Sequence, residues 1–95
     1  MASWHVYILR CADDSLYTGI ARDVEKRLDE HNRHDRKAAK YTRARRPVEL
    51  VYVEPCISRS AACKREAQIK AMRKAAKHAL IRAHMRKQQH IPDRR

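Results

Sequence analysis

Apolar residues first concentrate in two short segments separated by a polar break. Trp4–Cys11 and Leu16–Ile20 are rich in β-branched and aromatic side chains, and Asp13-Asp14-Ser15 lies between them. Segments of this length and composition favour β-strands. The pattern therefore predicts a β-hairpin near the start of the chain.

The segment after the hairpin has the period of an amphipathic helix. Asp23 is a residue type that caps helix N-termini. The residues that would share one helix face then follow at spacings of four and three positions: Val24, Leu28 and His31. The spacing predicts a first helix over residues 23–32.

Two prolines frame a third segment that resembles a strand. Pro47 opens the run Val48–Val53, whose length and composition fit a strand, and Pro55 follows it. Because proline cannot donate to a ladder of strand hydrogen bonds, we expect the strand to end before Pro55.

The next segment predicts one long helix that ends near His84. Ser58 or Ser60 can cap its N-terminus, and no Gly or Pro interrupts it, although a bend between Arg73 and Ala76 would cost little. Its apolar stripe follows the 3.6-residue period through Ala62, Ile69, Met72, Ala76, Leu80 and Ala83.

These elements indicate an α+β fold: a small three-stranded antiparallel sheet in ββαβα order, flanked by helices, with a C-terminal helical extension. Ninety-five residues suffice for one small domain, which we place at residues 1–84. Residues 85–95 are polar and basic, and we expect a frayed tail there.

Neither a membrane span nor a cysteine framework is indicated. The longest strongly apolar run, Val6–Leu9, is far shorter than the roughly 20 residues that cross a bilayer, and no apolar signal segment precedes it. The three cysteines show no CxxC spacing, which argues against a disulfide framework or a structural zinc site. We therefore expect a cytoplasmic protein, most simply a monomer, with reduced thiols.

The charge of the chain is large and unevenly distributed. The sequence has 23 Lys and Arg residues against 11 Asp and Glu residues, for a net charge of +12. Residues 33–46 carry +6 and residues 64–95 carry +9, whereas residues 1–32 carry −2. Such a field favours a polyanion, either nucleic acid or an anionic lipid surface, and argues against basic small molecules as substrates.

The hairpin contains the only glycine of the chain. A glycine inside a strand weakens it, so Gly19 indicates a bulge or a place where another group comes close. Tyr7 and Tyr17, taken alone, are most simply core or half-buried strand tyrosines.

Each predicted helix carries charged or titratable residues at the rim of its apolar face. On the first helix, Arg27 and His31 are either a snorkelling arginine beside a core histidine or a pair aimed at a ligand. On the second, Glu66 is nearly alone among basic residues. It is either the partner of Lys70 in an i,i+4 pair or an oxygen ligand for a hard divalent cation.

Together these residues form an ordered set that resembles the GIY-YIG nuclease domain, and most closely the small stand-alone bacterial proteins that contain little else. The resemblance covers about residues 4–83. The segments that carry it are Tyr7-Ile8-Leu9, Leu16-Tyr17-Thr18-Gly19, Asp23–Arg27, Ala39–Arg43 and Glu66–Lys70.

The resemblance implies hydrolysis of phosphodiester bonds with one bound divalent metal ion, Mg²⁺ or Mn²⁺. Glu66 matches the metal-binding glutamate of the family. Tyr7 matches the tyrosine that orients or deprotonates the attacking water, and Tyr17 matches the second tyrosine of the motif. Arg27 matches the arginine beside the scissile phosphate, and His31 matches a histidine one turn later in some members.

The sequence also departs from the family pattern. His5 replaces the first glycine of the name motif, and Thr18 replaces its middle isoleucine. An asparagine that follows the glutamate in several nucleases has no counterpart, with His78 near that spacing. Arg10 occupies the place where excision-repair relatives carry a lysine.

The leading hypothesis is a metal-dependent endonuclease that acts on DNA, in repair or on branched structures. The alternatives are a non-catalytic DNA- or RNA-binding module on the same fold and a small RNA-binding or ribosome-associated protein. A pure binder has no physical need for a carboxylate facing phosphates, which favours the enzyme. The residues expected to bind nucleic acid are Arg10, Lys37, Lys40, Tyr41, Arg43, Arg45, Arg46, Lys70, Arg73 and Lys74.

Two expectations concern loops. Tyr7 and Tyr17 can act on one phosphate only if they share a sheet face, which requires an odd hairpin loop such as residues 13–15 with Cys11 opposite Tyr17. Such a loop needs one residue with left-handed backbone, Asp14 or Ser15.

The basic segment 32–46 is expected to be mobile in the free protein and anchored only by Tyr41.

Overall fold

Three antiparallel strands form the centre of the computed structural model, which describes residues 3–89. The strands are β1 (Trp4–Arg10), β2 (Leu16–Ala21) and β3 (Glu49–Cys56), in the spatial order β2-β1-β3. The helices are α1 (Val24–Arg33), α2 (Lys40–Arg43), α3 (Arg59–Lys70) and α4 (Lys74–Gln89). The predicted α+β class and three-stranded antiparallel sheet are confirmed.

The central strand is apolar on both faces because helices cover both faces. On one face, Val6 and Ile8 belong to a core with Ala62 and Ile69 of α3 and Ile81 of α4. On the other face, Tyr7 and Leu9 of β1 form a second core, against which Val24 and Leu28 of α1 pack. The four residues from Val6 to Leu9 are each at most 2% exposed.

The hairpin loop is odd, as predicted, but its register differs from the predicted one by two residues. Cys11 donates its amide to the carbonyl of Ser15, so the loop is Ala12-Asp13-Asp14, and Tyr17 lies opposite Leu9 rather than Cys11. Asp14 takes the left-handed backbone, with φ of 67°. A shift of two residues keeps every side chain on its original face, so Tyr7 and Tyr17 still share one face.

Both predicted helix N-termini are confirmed, whereas the predicted end of β3 is wrong. Asp23 accepts a hydrogen bond from the amide of Lys26, and Ser58 accepts one from the amide of Ala61. Strand β3 continues through Pro55, which lies opposite His5. A proline is tolerated there because β3 is an edge strand with one unpaired side.

The prediction of a single long helix over residues 58–84 is wrong. The chain leaves the helix at Ala71–Arg73, where the amide of Met72 bonds the carbonyl of Ile69, and α4 begins at Lys74. Ile69 and Ile81 share one core, yet twelve residues of straight helix would turn them about 120° apart at about 100° per residue. The break aligns both side chains with the sheet, and no Gly or Pro signals it.

The helical extension runs further than expected. Residues 85–89, assigned to a frayed tail, belong to α4, while residues 90–95 of that tail lie outside the described part of the chain. No helix within residues 3–89 is long and apolar enough to span a membrane.

The basic segment has more anchors than Tyr41. Residues 40–43 form the short helix α2, which the sequence pattern did not predict, and Ala38 and Thr42 are buried. Arg46 donates to the carbonyl of His31 at 2.7 Å, and Arg43 donates to that of Asp35 at 2.7 Å. The expected mobility of this segment stays a prediction.

Gly19 allows the ring of Tyr7 to lie across strand β2. The two residues are opposite each other, and a Cβ at position 19 would lie 2.5 Å from the Tyr7 hydroxyl oxygen and 2.7 Å from Cζ. The lone glycine is therefore explained by the close approach of an aromatic ring.

We expect Gly19→Ala to lower the free energy of unfolding by about 1–3 kcal/mol, because the buried Tyr7 ring has no room to move aside. Urea denaturation measures the change. In a Tyr7→Leu background, Gly19→Ala should lower the free energy of unfolding by clearly less, since the obstructing hydroxyl and ring are gone. Equal losses in both backgrounds would contradict this explanation.

Candidate active site

A chain of hydrogen bonds connects the sheet, helix α1 and the basic segment. The Tyr7 hydroxyl lies 2.9 Å from Nε2 of His31, which is fully buried. Nδ1 of His31 lies 2.8 Å from the hydroxyl oxygen of Thr42, and that hydroxyl donates to the carbonyl of Ala39 at 3.0 Å. Three segments distant in sequence therefore meet at one imidazole.

We assign the proton positions by giving the single hydroxyl proton of Thr42 to the Ala39 carbonyl. The Thr42 oxygen then accepts the proton of His31 Nδ1. The Ala39 amide is 3.4 Å from Nδ1, too far to compete with the 2.8 Å contact of Thr42. Nε2 of a neutral His31 is then unprotonated and accepts the phenolic proton of Tyr7.

Burial keeps both Tyr7 and His31 uncharged. Burial, with help from the Arg27 charge, lowers the pKa of His31 to about 4. Burial, followed by the interaction with Tyr17, raises the pKa of Tyr7 to about 12, although Arg27 acts in the opposite direction. Burial therefore outweighs the neighbouring cations in the free protein, and Tyr7 is a neutral phenol.

Arg27 is held beside Tyr7 by two acceptors. Its Nη1 donates to Glu30 at 2.9 Å and to the carbonyl of Lys37 at 2.7 Å. Both contacts use Nη1, and the guanidinium also interacts with the Tyr7 hydroxyl, so that part of its five N–H groups can meet a ligand. Helix α1 thus presents a fixed, partly exposed positive charge to the site.

Tyr17 and Tyr41 form an aromatic stack at the mouth of the site. Their ring centroids are 6.0 Å apart with an interplanar angle of 24°. Tyr17 also lies near Tyr7, with centroids 6.5 Å apart, and Arg45 lies over the Tyr41 ring at 3.9 Å from its centroid. Tyr41 therefore lies at the edge of the site.

Glu66 lies at the rim of the site on α3. Its side chain is 23% exposed and pairs with Lys70 at 3.3 Å, and its charge is close enough to contribute to the raised pKa of Tyr7. Within residues 3–89 no group of three His, Cys, Asp or Glu side chains could hold a metal ion. A magnesium ion often takes only one or two protein carboxylates and keeps several waters, so Glu66 alone is compatible with such an ion.

Eight of the ten residues predicted to bind nucleic acid fall into two groups, while Tyr41 stacks on Tyr17 and Lys70 pairs with Glu66. The first group has partners within the protein. Arg10 pairs with Glu49, and Arg45 pairs with Asp13. Arg43 donates to the carbonyl of Asp35, and Arg46 pairs with the Asp35 carboxylate and donates to the carbonyl of His31. Arg46 is only 24% exposed and is therefore mainly structural. The exposed group, without ion pairs among the described residues, consists of Lys37, Lys40, Arg73 and Lys74.

Sequence reasoning missed three residues of the site. Thr42 orients His31, Glu30 holds Arg27, and Lys77 lines a cavity with Tyr17 and Lys70. The i,i+3 spacing of Arg27 and Glu30 was a usable signal. Thr42 and Lys77 carry no such local signal, because tertiary packing alone brings them to the site.

Comparisons with known proteins show the family and the fold of this chain. The family model of the GIY-YIG catalytic domain matches residues 3–79. A UPF0213 protein of Desulfotalea psychrophila is 51% identical over 81 residues, which cover 85% of this chain and 73% of the relative. A UPF0213 protein of Syntrophus aciditrophicus is 52% identical over 82 residues, which cover 86% and 93%.

Two solution NMR structures are similar in fold. The protein EF2693 from E. faecalis matches with a TM-score of 0.58 and 36% identity over 100% of this chain and 97% of its own. The UPF0213 protein BH0048 from Bacillus halodurans matches with a TM-score of 0.54 and 38% identity over 84% of this chain and 83% of its own.

The buried neutral His31 predicts a pH dependence of stability. Its pKa is lowered to about 4 in the folded state from an ordinary value of 6.5, so the unfolded chain binds the extra proton in that window. Stability should be complete above pH 6.5 and fall by at most about 3 kcal/mol as the pH drops toward 4. The charged groups that act on His31 are Arg27, Glu30 and Arg46.

Urea denaturation between pH 7 and pH 4.5 measures this effect. The His31→Gln variant should be less stable at pH 7 and should lose less stability on acidification than the unsubstituted protein. Parallel pH profiles of the two proteins would show that His31 is not the titrating group.

Proposed function

The chain belongs to the GIY-YIG catalytic domain family of nucleases, and from that premise we propose a divalent-metal-dependent endonuclease that hydrolyses phosphodiester bonds in DNA. We propose repair intermediates or branched DNA as its substrates, and a monomer in the cytoplasm as its working form. The observation that carries the proposal is the 2.9 Å contact between the Tyr7 hydroxyl and Nε2 of the buried His31, beside Arg27 and Glu66.

Tyr7 works in this proposal as a proton relay. With a pKa of about 12 for Tyr7 and about 4 for His31, the proton stays on the phenol in the free protein. As the attacking water loses its proton to the Tyr7 oxygen, the phenolic proton moves to Nε2 of His31. The Thr42 oxygen keeps the imidazole oriented by accepting the Nδ1 proton throughout.

Arg27 supplies positive charge where the phosphate gains negative charge. Phosphoryl transfer requires positioning and electrostatic stabilisation more than covalent chemistry from the protein. The contacts to Glu30 and the Lys37 carbonyl fix the guanidinium before substrate arrives. Such a preorganised charge stabilises the transition state without reorganisation during the reaction.

Glu66 would hold the divalent ion. Its carboxylate is partly exposed and paired with Lys70, whose ammonium group can turn to a phosphate when the ion binds. When bound there, Mg²⁺ or Mn²⁺ would supply positive charge near the phosphate and would stabilise the leaving oxygen. The exposed cations Lys37, Lys40, Arg73 and Lys74 would bind flanking phosphates.

A non-catalytic nucleic-acid-binding module is the second candidate. The pairing of Glu66 with Lys70 favours it, since an ion pair already satisfies the carboxylate. The two candidates differ in whether the Tyr7 relay is used for chemistry.

Incubation with labelled single-stranded, duplex, flap and four-way-junction DNA, and with RNA, tests the proposal. We expect cleavage of a branched DNA that requires Mg²⁺ or Mn²⁺ and that falls at least about 100-fold in Glu66→Gln. Glu25→Gln, on the exposed side of α1, is the matched control and should retain full activity. Binding of these substrates without cleavage would favour the second candidate, and cleavage unaffected by Glu66→Gln would contradict the assignment of the metal ligand.

The relay itself predicts a difference between two substitutions of Thr42. Thr42→Val removes the acceptor for Nδ1, so His31 should shift toward the tautomer protonated at Nε2, and the cleavage rate should fall by about 10- to 100-fold. Thr42→Ser keeps the hydroxyl and should retain most of the activity. Nitrogen NMR of the imidazole reads the tautomer directly, and a wild-type His31 protonated at Nε2 would overturn the relay.

A further inference from the structure

A cavity of about 210 Å³ opens beside the site, between strand β2 and the helices α3 and α4. Its walls are formed by Leu16, Tyr17, Thr18, Tyr41, Lys70 and Lys77. Two tyrosines form one part of the lining, which we call the aromatic wall, and two lysines form another, which we call the cationic wall. The proton relay described above does not use this space.

The aromatic wall is rigid. Tyr41 is stacked on Tyr17 and has the Arg45 guanidinium over its ring, while His31 meets the Tyr17 ring edge-to-face at 5.3 Å between centroids. A planar base can pack against the ring atoms of Tyr17 and Tyr41 that these partners leave free, and aromatic contacts of this kind bind bases of any sequence.

The cationic wall comes from two different helices. Lys70 of α3 is exposed and lies 3.3 Å from Glu66. Lys77 of α4 is half-buried, and within residues 3–89 its ammonium group forms no ion pair. A lysine without an ion-pair partner beside aromatic rings suits a phosphate oxygen, with which it can form a charge-assisted hydrogen bond.

We propose that this cavity is a subsite for one unpaired nucleotide adjacent to the scissile phosphodiester, with its base against Tyr17 and Tyr41 and its phosphate at Lys70 and Lys77. The inference rests on the proposed function. Lys70 contacts Glu66 and Tyr17 lies beside Tyr7, so a nucleotide in the cavity is a direct neighbour of the reacting group. A base within a duplex is stacked on both sides and cannot enter a recess without leaving the helix.

Equilibrium binding in the presence of EDTA tests the subsite without any cleavage. The probes are a blunt duplex and a duplex of equal length with a single-stranded overhang, each as DNA and as RNA, with 2-aminopurine either in the overhang or in the paired region. We expect Lys77→Gln to weaken binding of the overhang probe about tenfold and of the blunt duplex less than twofold. Lys74→Gln removes the same charge from the same helix outside the cavity, and it should weaken both probes equally.

The 2-aminopurine fluorescence gives a second readout. Transfer of the unpaired base into the cavity should change its emission on binding, and Lys77→Gln should reduce that change, while the paired probe should respond little. Circular dichroism and thermal unfolding verify that both variants are folded. If Lys77→Gln and Lys74→Gln have the same effect on every probe, the proposal is overturned.

The binding test of the subsite can fail or succeed independently of the proposed hydrolysis. A selective effect of Lys77→Gln in a protein that cleaves none of the substrates would support the subsite and refute the hydrolysis. Cleavage of DNA by a protein in which Lys77→Gln has no selective effect on binding would refute the subsite and leave the hydrolysis standing.

Discussion

The hydrogen bond between Tyr7 and His31 fixes the relative position of the sheet, helix α1 and the basic segment. It joins residues 24 positions apart in sequence, and the second nitrogen of the same imidazole extends the connection to Thr42. Each partner needs its own support: Gly19 clears the path of the Tyr7 ring, and α2 presents the Thr42 hydroxyl. A change at any of these residues therefore acts on the geometry of the site as well as on stability.

Although the chain is strongly basic, the groups at the centre of the candidate site are either uncharged or paired with an opposite charge. His31 is uncharged because of its burial, Arg27 is paired with Glu30, and Lys70 is paired with Glu66. The positive charge that favours a polyanion lies outside this centre, on exposed lysines and arginines of the basic segment and of α4. This separation lets the surface attract phosphates over a distance while burial and local hydrogen bonds control the proton of Tyr7.

Local signals predicted the strands, the first helix and both capped N-termini, because each depends on a few adjacent residues such as Asp23 and Ser58. The shared face of Tyr7 and Tyr17 was predictable even though the register was not, since a shift of two residues preserves the face. The tautomer of His31 could not be predicted, because it depends on the Thr42 hydroxyl, eleven residues away in a segment without periodicity.

The break between α3 and α4 results from tertiary packing, and it determines where the site residues of these two helices lie. A straight helix over residues 59–84 would be about 39 Å long, whereas strands of seven residues extend about 23 Å. Such a helix could not keep Ile69 and Ile81 on one sheet, and α3 instead packs on β1 and β2 while α4 packs on β3. Because α3 ends beside β2, Glu66 and Lys70 lie at the edge of the sheet where the Tyr7 ring crosses Gly19, and α4 brings Lys77 to the same edge.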